Sequence, residues 1–359
     1  MFSRELSRCL LSLTAAVAIF AQTGGAAASD RDGTPSPPRK ILLDTDPGGD
    51  DAFALLWLQS LAKQRLAEIV AVTTVAGNVR GELTFANAGK ILALGGFGHV
   101  EVGRCVPRQK TEKDAAHIHG TDGMGNLAQM LPESRHRLSE ARSAEDIIIE
   151  KLAAAPGEIT LVAIGPLTNL AAAEGKRPGI LAKAKEVVVM GGVFCRPGNV
   201  TPQAEFNISY DPEAAERVFA SRNDIVVLPL NVTQRITFTE ELAESVRQAA
   251  PNSTIARFLV ALCDFLTKTT LGYREAEGAR GFHVHDAATL AYLFYPETLW
   301  LQRARVHVET QGQWTRGQTV IDQRHLAKPE PNAWLALQVD TVNLLASMAE
   351  DLKVLCQSK

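Results

Sequence analysis

The sequence has few cysteines, and they form no recognisable pattern. Of five in 359 residues, Cys9 lies close to the N-terminus, and the other four are far apart: Cys105, Cys195, Cys263 and Cys356. No C-x-x-C pair is present, so nothing suggests a zinc ribbon or a dithiol redox site. Four cysteines allow three pairings, and a core of this size does not depend on disulfides. We therefore predict no particular disulfide bridge.

The chain also lacks a surplus of either charge. Its 37 lysines and arginines nearly balance 40 aspartates and glutamates, for a net charge of −3. Proteins that bind nucleic acid through its backbone usually carry a basic surplus, so this function class is not indicated. Beyond the N-terminal residues no apolar run approaches the length of a membrane span. The hydrophobic fraction of 46% is that of an ordinary globular protein.

Residues 1–28 have the pattern of a secretory signal peptide. Two arginines precede an apolar stretch at residues 9–21, and small residues with A-x-A spacing follow. Residues 29–39 are polar and rich in proline, and we interpret them as a disordered linker. We therefore expect an exported protein whose single folded domain covers residues 40–359.

From Lys40 onward, strand-like apolar runs alternate with amphipathic stretches such as residues 81–96 and 144–155. Continuous β-branched runs are typical of strands buried on both faces, and their alternation with helices indicates a parallel sheet. We predict one doubly wound α/β domain with a mostly parallel central sheet, in which ligands bind beyond the carboxyl ends of the strands. The predicted strands are residues 40–46, 68–74, 159–164, 186–190 and 225–230.

Four aspartates crowd into eight residues of the stretch ILLDTDPGGDDAFALL: Asp44, Asp46, Asp50 and Asp51. Helix capping explains Asp50 and Asp51, because aspartate is favoured in the first turn of the helix predicted to follow. It does not explain the other two, at the end of a strand. Carboxylates about 4 Å apart repel by roughly 4 kcal/mol at an effective dielectric constant near 20. The cluster therefore needs a cation, shared protons or hydrogen-bond donors, and oxygen ligands favour a hard divalent metal over zinc.

The same stretch resembles the N-terminal signature of the inosine–uridine-preferring nucleoside hydrolases. The resemblance implies their α/β fold and calcium-dependent hydrolysis of the N-glycosidic bond of ribonucleosides, which releases free base and ribose through an oxocarbenium-like transition state. It also implies a homodimer or a homotetramer. Further matching stretches follow in the same order: residues 74–78 (TVAGN), 117–127, 164–171, 190–192, 199–215, 285–297 and 315–322.

The resemblance assigns roles to the aspartate cluster. Asp50 would be the general base that takes a proton from the attacking water, which the calcium ion holds in place. Asp44 would orient the metal ligands without binding the metal itself. The implied calcium ligands are Asp46, Asp51, Asp286 and the backbone carbonyl of Ile164.

The resemblance also implies residues that hold the ribose. In the segment EFN, we expect an extended backbone that places Glu205 and Asn207 on one side and turns Phe206 towards the core. Amide and carboxylate groups suit vicinal hydroxyls because they donate to and accept from them. The implied substrate-binding residues are Asn78, Met190, Asn199, Glu205, Asn207 and Asp286.

At the leaving base, the resemblance implies that His285 donates a proton or a hydrogen bond. Phe282 and His283 lie one turn away and are candidates for the base pocket. His119 lies in a glycine-rich segment that is suited to closing over the site. The roles of His119 and His283 stay open, as does the preferred base, because no tryptophan can be assigned as a purine-stacking residue.

Asn199 and Asn207 each begin a formal glycosylation sequon, N-V-T and N-I-S. A glycan on either asparagine would block the expected pocket. We therefore expect export to a bacterial periplasm.

Two other functions remain open. ILLDTD also resembles the D-x-D motif of haloacid-dehalogenase-like phosphatases, with Asp44 as nucleophile, Asp46 as its acid partner and magnesium as the metal. PGGDD follows directly, however, and no lysine or later aspartate pair occurs in the expected order. The second alternative is a periplasmic protein that binds nucleosides or ribose without turnover. The presence of Asp50 and His285 favours catalysis, because binding alone needs no general base.

Overall fold

The structure, a computed structural model, describes residues 37–107, 114–273, 280–324 and 329–358. The predicted signal peptide and most of the predicted linker lie outside these residues. Arg39, placed in the linker by the sequence, already belongs to the first strand. Among the described helices, none combines the length and the apolar character that crossing a bilayer would require.

Strands and helices alternate through the first two thirds of the chain. The strands are β1 (Arg39–Thr45), β2 (Ala67–Thr74), β3 (Val102–Gly103), β4 (Ile159–Ala163), β5 (Glu186–Met190), β6 (Ile225–Leu228), β7 (Thr237–Thr239), β8 (Gly281–His283), β9 (Leu299–Ala304), β10 (His307–Val308), β11 (Thr319–Val320) and β12 (Ala333–Val339). The α-helices are α1 (Gly49–Lys63), α2 (Gly81–Leu94), α3 (Ala116–His119), α4 (Ala144–Ala154), α5 (Thr168–Lys176), α6 (Phe206–Tyr210), α7 (Pro212–Ser221), α8 (Leu230–Thr233), α9 (Glu240–Ala249), α10 (Thr254–Tyr273), α11 (Ala287–Phe294) and α12 (Thr341–Gln357). Short 3₁₀ helices cover Ala128–Met130, Leu138–Glu140, Leu181–Lys183 and Pro296–Thr298.

A central sheet of eight strands organises the fold, in the order β3-β2-β1-β4-β5-β6-β12-β9. Neighbouring strands run parallel, except that β9 runs antiparallel to β12 at the edge. The prediction of a doubly wound, mostly parallel α/β fold is therefore confirmed. The five predicted strands correspond to β1, β2, β4, β5 and β6, whereas β3, β9 and β12 were not predicted.

Side chains of β1 enter two hydrophobic cores, one on each face of the sheet. Ile41 and Leu43 pack into the core that contains α1 and α12, and Leu42 packs into the core that contains α5 and α7. This burial on both faces explains the continuous apolar runs of the parallel strands. Cys263 and Cys356 lie in the first of these cores, and both are free thiols.

The order of the strands reverses at β1, which lies between β2 and β4. In open α/β sheets such a reversal opens a crevice at the carboxyl ends of the strands, because the connections leave towards opposite sides. Asp46 follows β1 directly and Ile164 follows β4 directly. The sheet therefore places both residues at the crevice.

Candidate active site

A cavity of about 340 Å³ opens at the carboxyl ends of the strands. It contains residues from distant parts of the chain, which the central sheet brings to one edge. Its lining includes all eight residues that the sequence assigned to catalysis or substrate binding: Asp50, Asn78, Met190, Asn199, Glu205, Asn207, His285 and Asp286. Ile164, which was assigned to the metal, is also in the lining. His119, Phe282 and His283 line it as well.

Three carboxylates form a compact group at one side of this cavity. Oxygen atoms of Asp50, Asp51 and Asp286 lie within 4.8 Å of one another. Burial, followed by the charge of Asp51, raises the pKa of Asp50 to about 8. Burial and the charges of Asp50, Asp51 and Asp46 hold the pKa of Asp286 well above its usual range. A nearby cation stabilises the ionised form of carboxyl groups whose pKa values are raised in this way. This group of three aspartates could therefore hold a metal ion.

Asp51 combines helix capping with a place in this group. Its Oδ2 accepts hydrogen bonds from the backbone N–H of Gly48 at 3.0 Å and from Nδ2 of Asn78 at 2.9 Å. Its Oδ1 accepts from the hydroxyl of Thr45 at 2.6 Å and from the backbone N–H of Asp46 at 3.1 Å. Asp51 thus caps the start of α1, as the simple explanation expected. These four donors also fix its carboxylate in one orientation.

Asp46 lies behind the cavity, 1% exposed. Its Oδ2 accepts a hydrogen bond from the backbone N–H of Asn78 at 2.8 Å, whereas its buried Oδ1 has no partner among the described residues. Glycines surround it closely, since a Cβ on Gly77 would lie 2.1 Å from Oδ2 and one on Gly165 would lie 2.4 Å from Oδ1. A buried carboxylate oxygen without a donor is costly. Asp46 therefore fits a role as a cation ligand.

Asp44 makes its hydrogen bonds away from this group. Its Oδ1 accepts from the hydroxyl of Thr73 at 2.6 Å and from Nδ2 of Asn169 at 2.7 Å. Burial raises its pKa to about 7. Asn169 also donates to the backbone carbonyl of Thr74 at 2.8 Å. In the described structure the side chain of Asp44 therefore joins β1 to β2 and α5. Its hydrogen bond to a predicted metal ligand is made by the backbone, since its carbonyl accepts from the N–H of Ile164 at 2.8 Å.

The side-chain amides of Asn78 and Asn207 are already committed to protein acceptors. Asn78 donates to the backbone carbonyl of Asp46 as well as to Asp51, and Asn207 donates to the carbonyls of Ile164 and Met190. Each amide therefore keeps only its Oδ1 for a ligand, as an acceptor of hydroxyl protons. Asn199 is the opposite case, since its Oδ1 accepts from the N–H of Phe206 and its Nδ2 makes no hydrogen bond within the described ranges.

The expectation of an extended EFN segment is wrong. Glu205 is the N-cap of α6, and its carboxylate accepts from the backbone N–H groups of Asn207, Ile208 and Gly192. A glutamate that satisfies the first N–H groups of a helix favours the helix over a strand. As a result Phe206 does not turn into the core but is half-buried and lines the cavity.

Two threonine–histidine pairs lie side by side at the cavity. Nδ1 of His285 is 2.8 Å from the hydroxyl of Thr233, and Nδ1 of His283 is 3.2 Å from that of Thr237. The two rings are 5.4 Å apart between centroids. Burial, followed by the charges of the neighbouring histidines, lowers the pKa of His285 well below its usual range.

His119 joins the glycine-rich segment to the start of α1. Its Nδ1 accepts a hydrogen bond from the backbone N–H of Gly49 at 3.0 Å. Burial, followed by the charge of His117, lowers its pKa to about 4. His119 is therefore neutral at pH 7, with its proton on Nε2.

Comparison with known proteins gives this geometry a family. A family model described as the inosine-uridine preferring nucleoside hydrolases matches residues 41–346. The chain belongs to the nucleoside hydrolase family. It is 36% identical over 306 residues to an inosine-uridine preferring nucleoside hydrolase of Leishmania major, a match that covers 84% of this chain and 94% of the relative. It is 39% identical over 305 residues to the non-specific ribonucleoside hydrolase RihC of Klebsiella pneumoniae, over 84% of this chain and 93% of the relative.

A solved nucleoside hydrolase structure shares the fold. The purine-preferring ribonucleoside hydrolase from Gardnerella vaginalis matches with a TM-score of 0.80 at 29% identity, over 89% of this chain and 99% of that one. Membership of the nucleoside hydrolase family makes the protein a hydrolase that acts on ribonucleosides. It removes the phosphatase and the non-catalytic binding protein as interpretations of the aspartate cluster.

Several residues of the nucleoside hydrolase site were not found from the sequence. Thr233, Leu266 and Thr270 follow no local pattern that marks a site, and they reach the cavity or its histidines only through the packing of α8 and α10. Asn169, in contrast, could have been found from the sequence. It lies in the matching stretch 164–171, and a polar side chain in the first turn after a buried strand is a signal of use at the sheet edge.

Proposed function

We propose that this nucleoside hydrolase depends on calcium and uses Asp50 as its general base. The assignment of Asp50 as the general base rests on one observation. Among the four aspartates between residues 44 and 51, Asp50 is the one that lines the described cavity, beside Asp286. A general base must reach the water that attacks the substrate, so a carboxylate at the cavity wall is suited to this role.

The metal ligands we propose are Asp46, Asp51, Asp286 and the carbonyl of Ile164. Asp46 contributes a buried oxygen without a donor, and Asp286 belongs to the compact group of carboxylates. An all-oxygen set of carboxylates and one backbone carbonyl suits calcium, which accepts irregular geometry. A bound divalent ion supplies positive charge that lowers the pKa of water and of the surrounding carboxylates. With that charge present, Asp50 is ionised at neutral pH and able to take a proton.

The ribose-binding groups are complementary in their hydrogen-bonding roles. Asn78 and Asn207 present Oδ1 acceptors, because their amide protons are committed to protein groups. Asn199 presents its Nδ2 as a donor, and Met190 supplies an apolar surface at the end of β5. Vicinal hydroxyls donate as well as accept hydrogen bonds, so these side chains together can bind a ribose from several sides.

We propose ribonucleosides as the substrate class, with the preferred base left open. The relatives and solved structures differ in what their names state, from inosine and uridine to purines and to no specificity. We propose that the base is surrounded by a set of residues that line the cavity: Leu266, Thr270, Phe282, His283 and His285. We propose that His285, which lines the cavity, interacts with the leaving base.

Ribose release from a panel of nucleosides tests the proposal. Inosine, adenosine, guanosine, uridine and cytidine are incubated with the protein, with calcium and with a chelator. We expect ribose from at least one of them, loss of activity with the chelator, and recovery when calcium is restored. Unchanged activity after complete removal of calcium would overturn the metal assignment.

Asp50→Asn tests the general base without changing the volume of the side chain. We expect kcat to fall by roughly 10²–10⁴-fold, the usual contribution of a positioned general base. Glu82→Gln is the matched control, because it also neutralises an acid in the first turn of a helix, but at an exposed position. Equal effects of the two variants would exclude a special role for Asp50.

We also propose that residues 1–28 direct export to a bacterial periplasm and are then removed, and that the mature chain forms a dimer or a tetramer. N-terminal sequencing of the protein from a periplasmic fraction would identify the first mature residue. Light scattering of the purified protein would give its oligomeric state. A full-length chain in the cytoplasmic fraction would contradict the export proposal.

A further inference from the structure

Thr233 contacts the imidazole ring of His285 through its hydroxyl. Its hydroxyl lies 2.8 Å from Nδ1, and the residue is fully buried at the end of α8. A backbone hydrogen bond of 3.0 Å from Val284 to Ile236 holds the two segments together. The antiparallel pairing of β7 with β8 continues this contact. The threonine and the histidine are therefore held in register by the backbone.

The direction of this hydrogen bond follows from the surroundings of Thr233. Throughout the described ranges, Nδ1 of His285 is the one hydrogen-bond partner of its hydroxyl. If Nδ1 carried the ring proton, it would donate to Thr233, and the buried hydroxyl hydrogen would have no acceptor. Such an unsatisfied buried group costs about 1–3 kcal/mol. Thr233 therefore donates to Nδ1, and the ring proton of neutral His285 resides on Nε2.

We propose that Thr233 is a positioning residue that fixes His285 as the Nε2–H tautomer, so that this N–H donates a hydrogen bond to the leaving base. The inference rests on the proposed function, because it requires that the base leaves from beside His285. Nδ1 is engaged by Thr233, and His285 lines the cavity. Nε2 is then the ring nitrogen left for the substrate.

The role of this N–H follows from the electron balance of the reaction. The water oxygen bonds to C1′ of the ribose and gives one proton to Asp50, which later releases it to solvent. The bond from C1′ to the base nitrogen breaks, and both its electrons go to the base. Negative charge therefore develops on the base until it takes up a proton from solvent. A hydrogen bond from Nε2–H stabilises that charge while it forms, and the opposite tautomer would present a lone pair that repels it.

The neighbouring pair supplies a matched control. Thr237 and His283 repeat the same contact at 3.2 Å, on β7 and β8. Thr237 is half-buried, so its hydroxyl can donate to solvent. The reasoning that fixes the tautomer of His285 therefore does not apply to His283. Removing the Thr237 hydroxyl tests whether the loss of any threonine hydroxyl that contacts a histidine of the cavity reduces activity.

The experiment compares two substrates with the variants Thr233→Val, Thr233→Ser and Thr237→Val. Inosine and uridine have basic leaving groups that need stabilisation, whereas p-nitrophenyl ribofuranoside has a leaving group that departs unaided. For Thr233→Val we expect kcat on the nucleosides to fall by at least about tenfold, because one preorganised donor is typically worth that or more. KM and the rate on the nitrophenyl riboside should change by less than about threefold, since neither depends on the leaving-group donor.

Thr233→Ser keeps the hydroxyl and should recover nucleoside kcat to within about threefold of the wild type, and Thr237→Val should stay within the same range. Equal losses on both substrates, or no loss with Thr233→Val, would overturn the inference. If the wild type itself hydrolyses no nucleoside, the proposed function fails instead, so the two failures are distinguishable.

Nitrogen-15 NMR of histidine-labelled wild-type protein provides a test that needs no folded valine variant. The resonances of His285 are assigned by their loss in His285→Gln. We expect Nε2 to carry the proton and Nδ1 to show the shift of a hydrogen-bond acceptor. A proton on Nδ1 would overturn the inference directly.

Discussion

Nδ2 of Asn78 donates a hydrogen bond to Oδ2 of Asp51 across 2.9 Å. This contact joins the loop between β2 and α2 to the first turn of α1. The backbone N–H of Asn78 also donates to Asp46 at 2.8 Å. One asparagine therefore orients two of the proposed metal ligands, and a donor to a carboxylate favours its ionised form.

Asn78→Ala should weaken calcium binding. The substitution removes the donor to Asp51 and leaves the backbone N–H to Asp46 in place. Groups that orient metal ligands typically contribute 10–100-fold to affinity, and we expect a loss of about tenfold in calorimetric titration. Asn199→Ala is the control, since Asn199 lines the same cavity and makes no hydrogen bond with the aspartates in the described structure. Equal calcium affinity in the two variants would contradict this role for Asn78.

Gly165→Ala should displace the carboxylate of Asp46. The added Cβ would lie 2.4 Å from its Oδ1, closer than real contacts allow. Because Oδ1 is the oxygen without a donor, its displacement should lower calcium affinity by more than tenfold, while overpacking costs about 1–3 kcal/mol of stability. Gly272→Ala is the control, since its Cβ meets nothing within 4 Å. Calcium binding at wild-type strength in Gly165→Ala would exclude Asp46 as a ligand.

The metal-free protein should lose stability as pH rises. Burial raises the pKa of Asp44 to about 7 and, together with Asp51, that of Asp50 to about 8, from 3.8 for an unperturbed aspartate. The pKa values of Asp46 and Asp286 are also raised by burial, and these four carboxyls outnumber His119 and His285, whose lowered pKa values act in the opposite direction up to about pH 6.5. Between pH 4 and 8 the folded state therefore holds more protons than the unfolded state, so the free energy of unfolding falls as pH increases. Calcium replaces those protons and should reduce the loss.

Urea denaturation at pH 5, 6, 7 and 8, with chelator and with calcium, measures this effect. We expect the chelated protein to be most stable at pH 5, and the stabilisation by calcium to grow towards pH 8. A chelated protein that gains stability from pH 5 to 8 would show that these carboxyl groups are not protonated in the folded state.

Asp351→Ala should destabilise the protein without affecting catalysis. The buried carboxylate accepts from Nε1 of Trp57 at 2.7 Å and from the hydroxyl of Tyr295 at 2.6 Å, and it joins α12 to α1. Its removal takes the acceptor from the buried Nε1 of Trp57 and from two half-buried donors, the hydroxyl of Tyr295 and Nε2 of Gln64. We therefore expect a loss of about 3 kcal/mol in urea denaturation. Glu350→Ala on the same helix removes an exposed ion pair with Lys353 and should cost less than about 0.5 kcal/mol. Similar losses in both variants would contradict this assignment.

The sequence predicted the framework of the fold because buried parallel strands have an unmistakable composition. The runs that form β1, β2, β4, β5 and β6 are largely apolar. β4, β5, β6 and most of β1 are buried on both faces, as is the second half of β2. β9 lies at the edge of the sheet and β12 lies next to it, and both were missed because exposed residues such as Trp300 and Trp334 interrupt their apolar pattern. The EFN segment was misassigned because alternation over three residues is weak evidence for a strand. The helix cap that Glu205 supplies decides its conformation instead.

By itself, the sequence determined the class of fold, the aspartate cluster and the family, because all three are recorded in short local patterns. The tertiary structure alone decided which oxygen of Asp46 lacks a donor, which aspartate faces the cavity and which threonine orients His285. Residues far apart in the sequence meet in this site, such as Asp50 and Asp286, which line the same cavity. Hydrophobic periodicity sets the secondary structure, but distances, burial and hydrogen-bond direction arise only when the sheet brings the ends of its strands together.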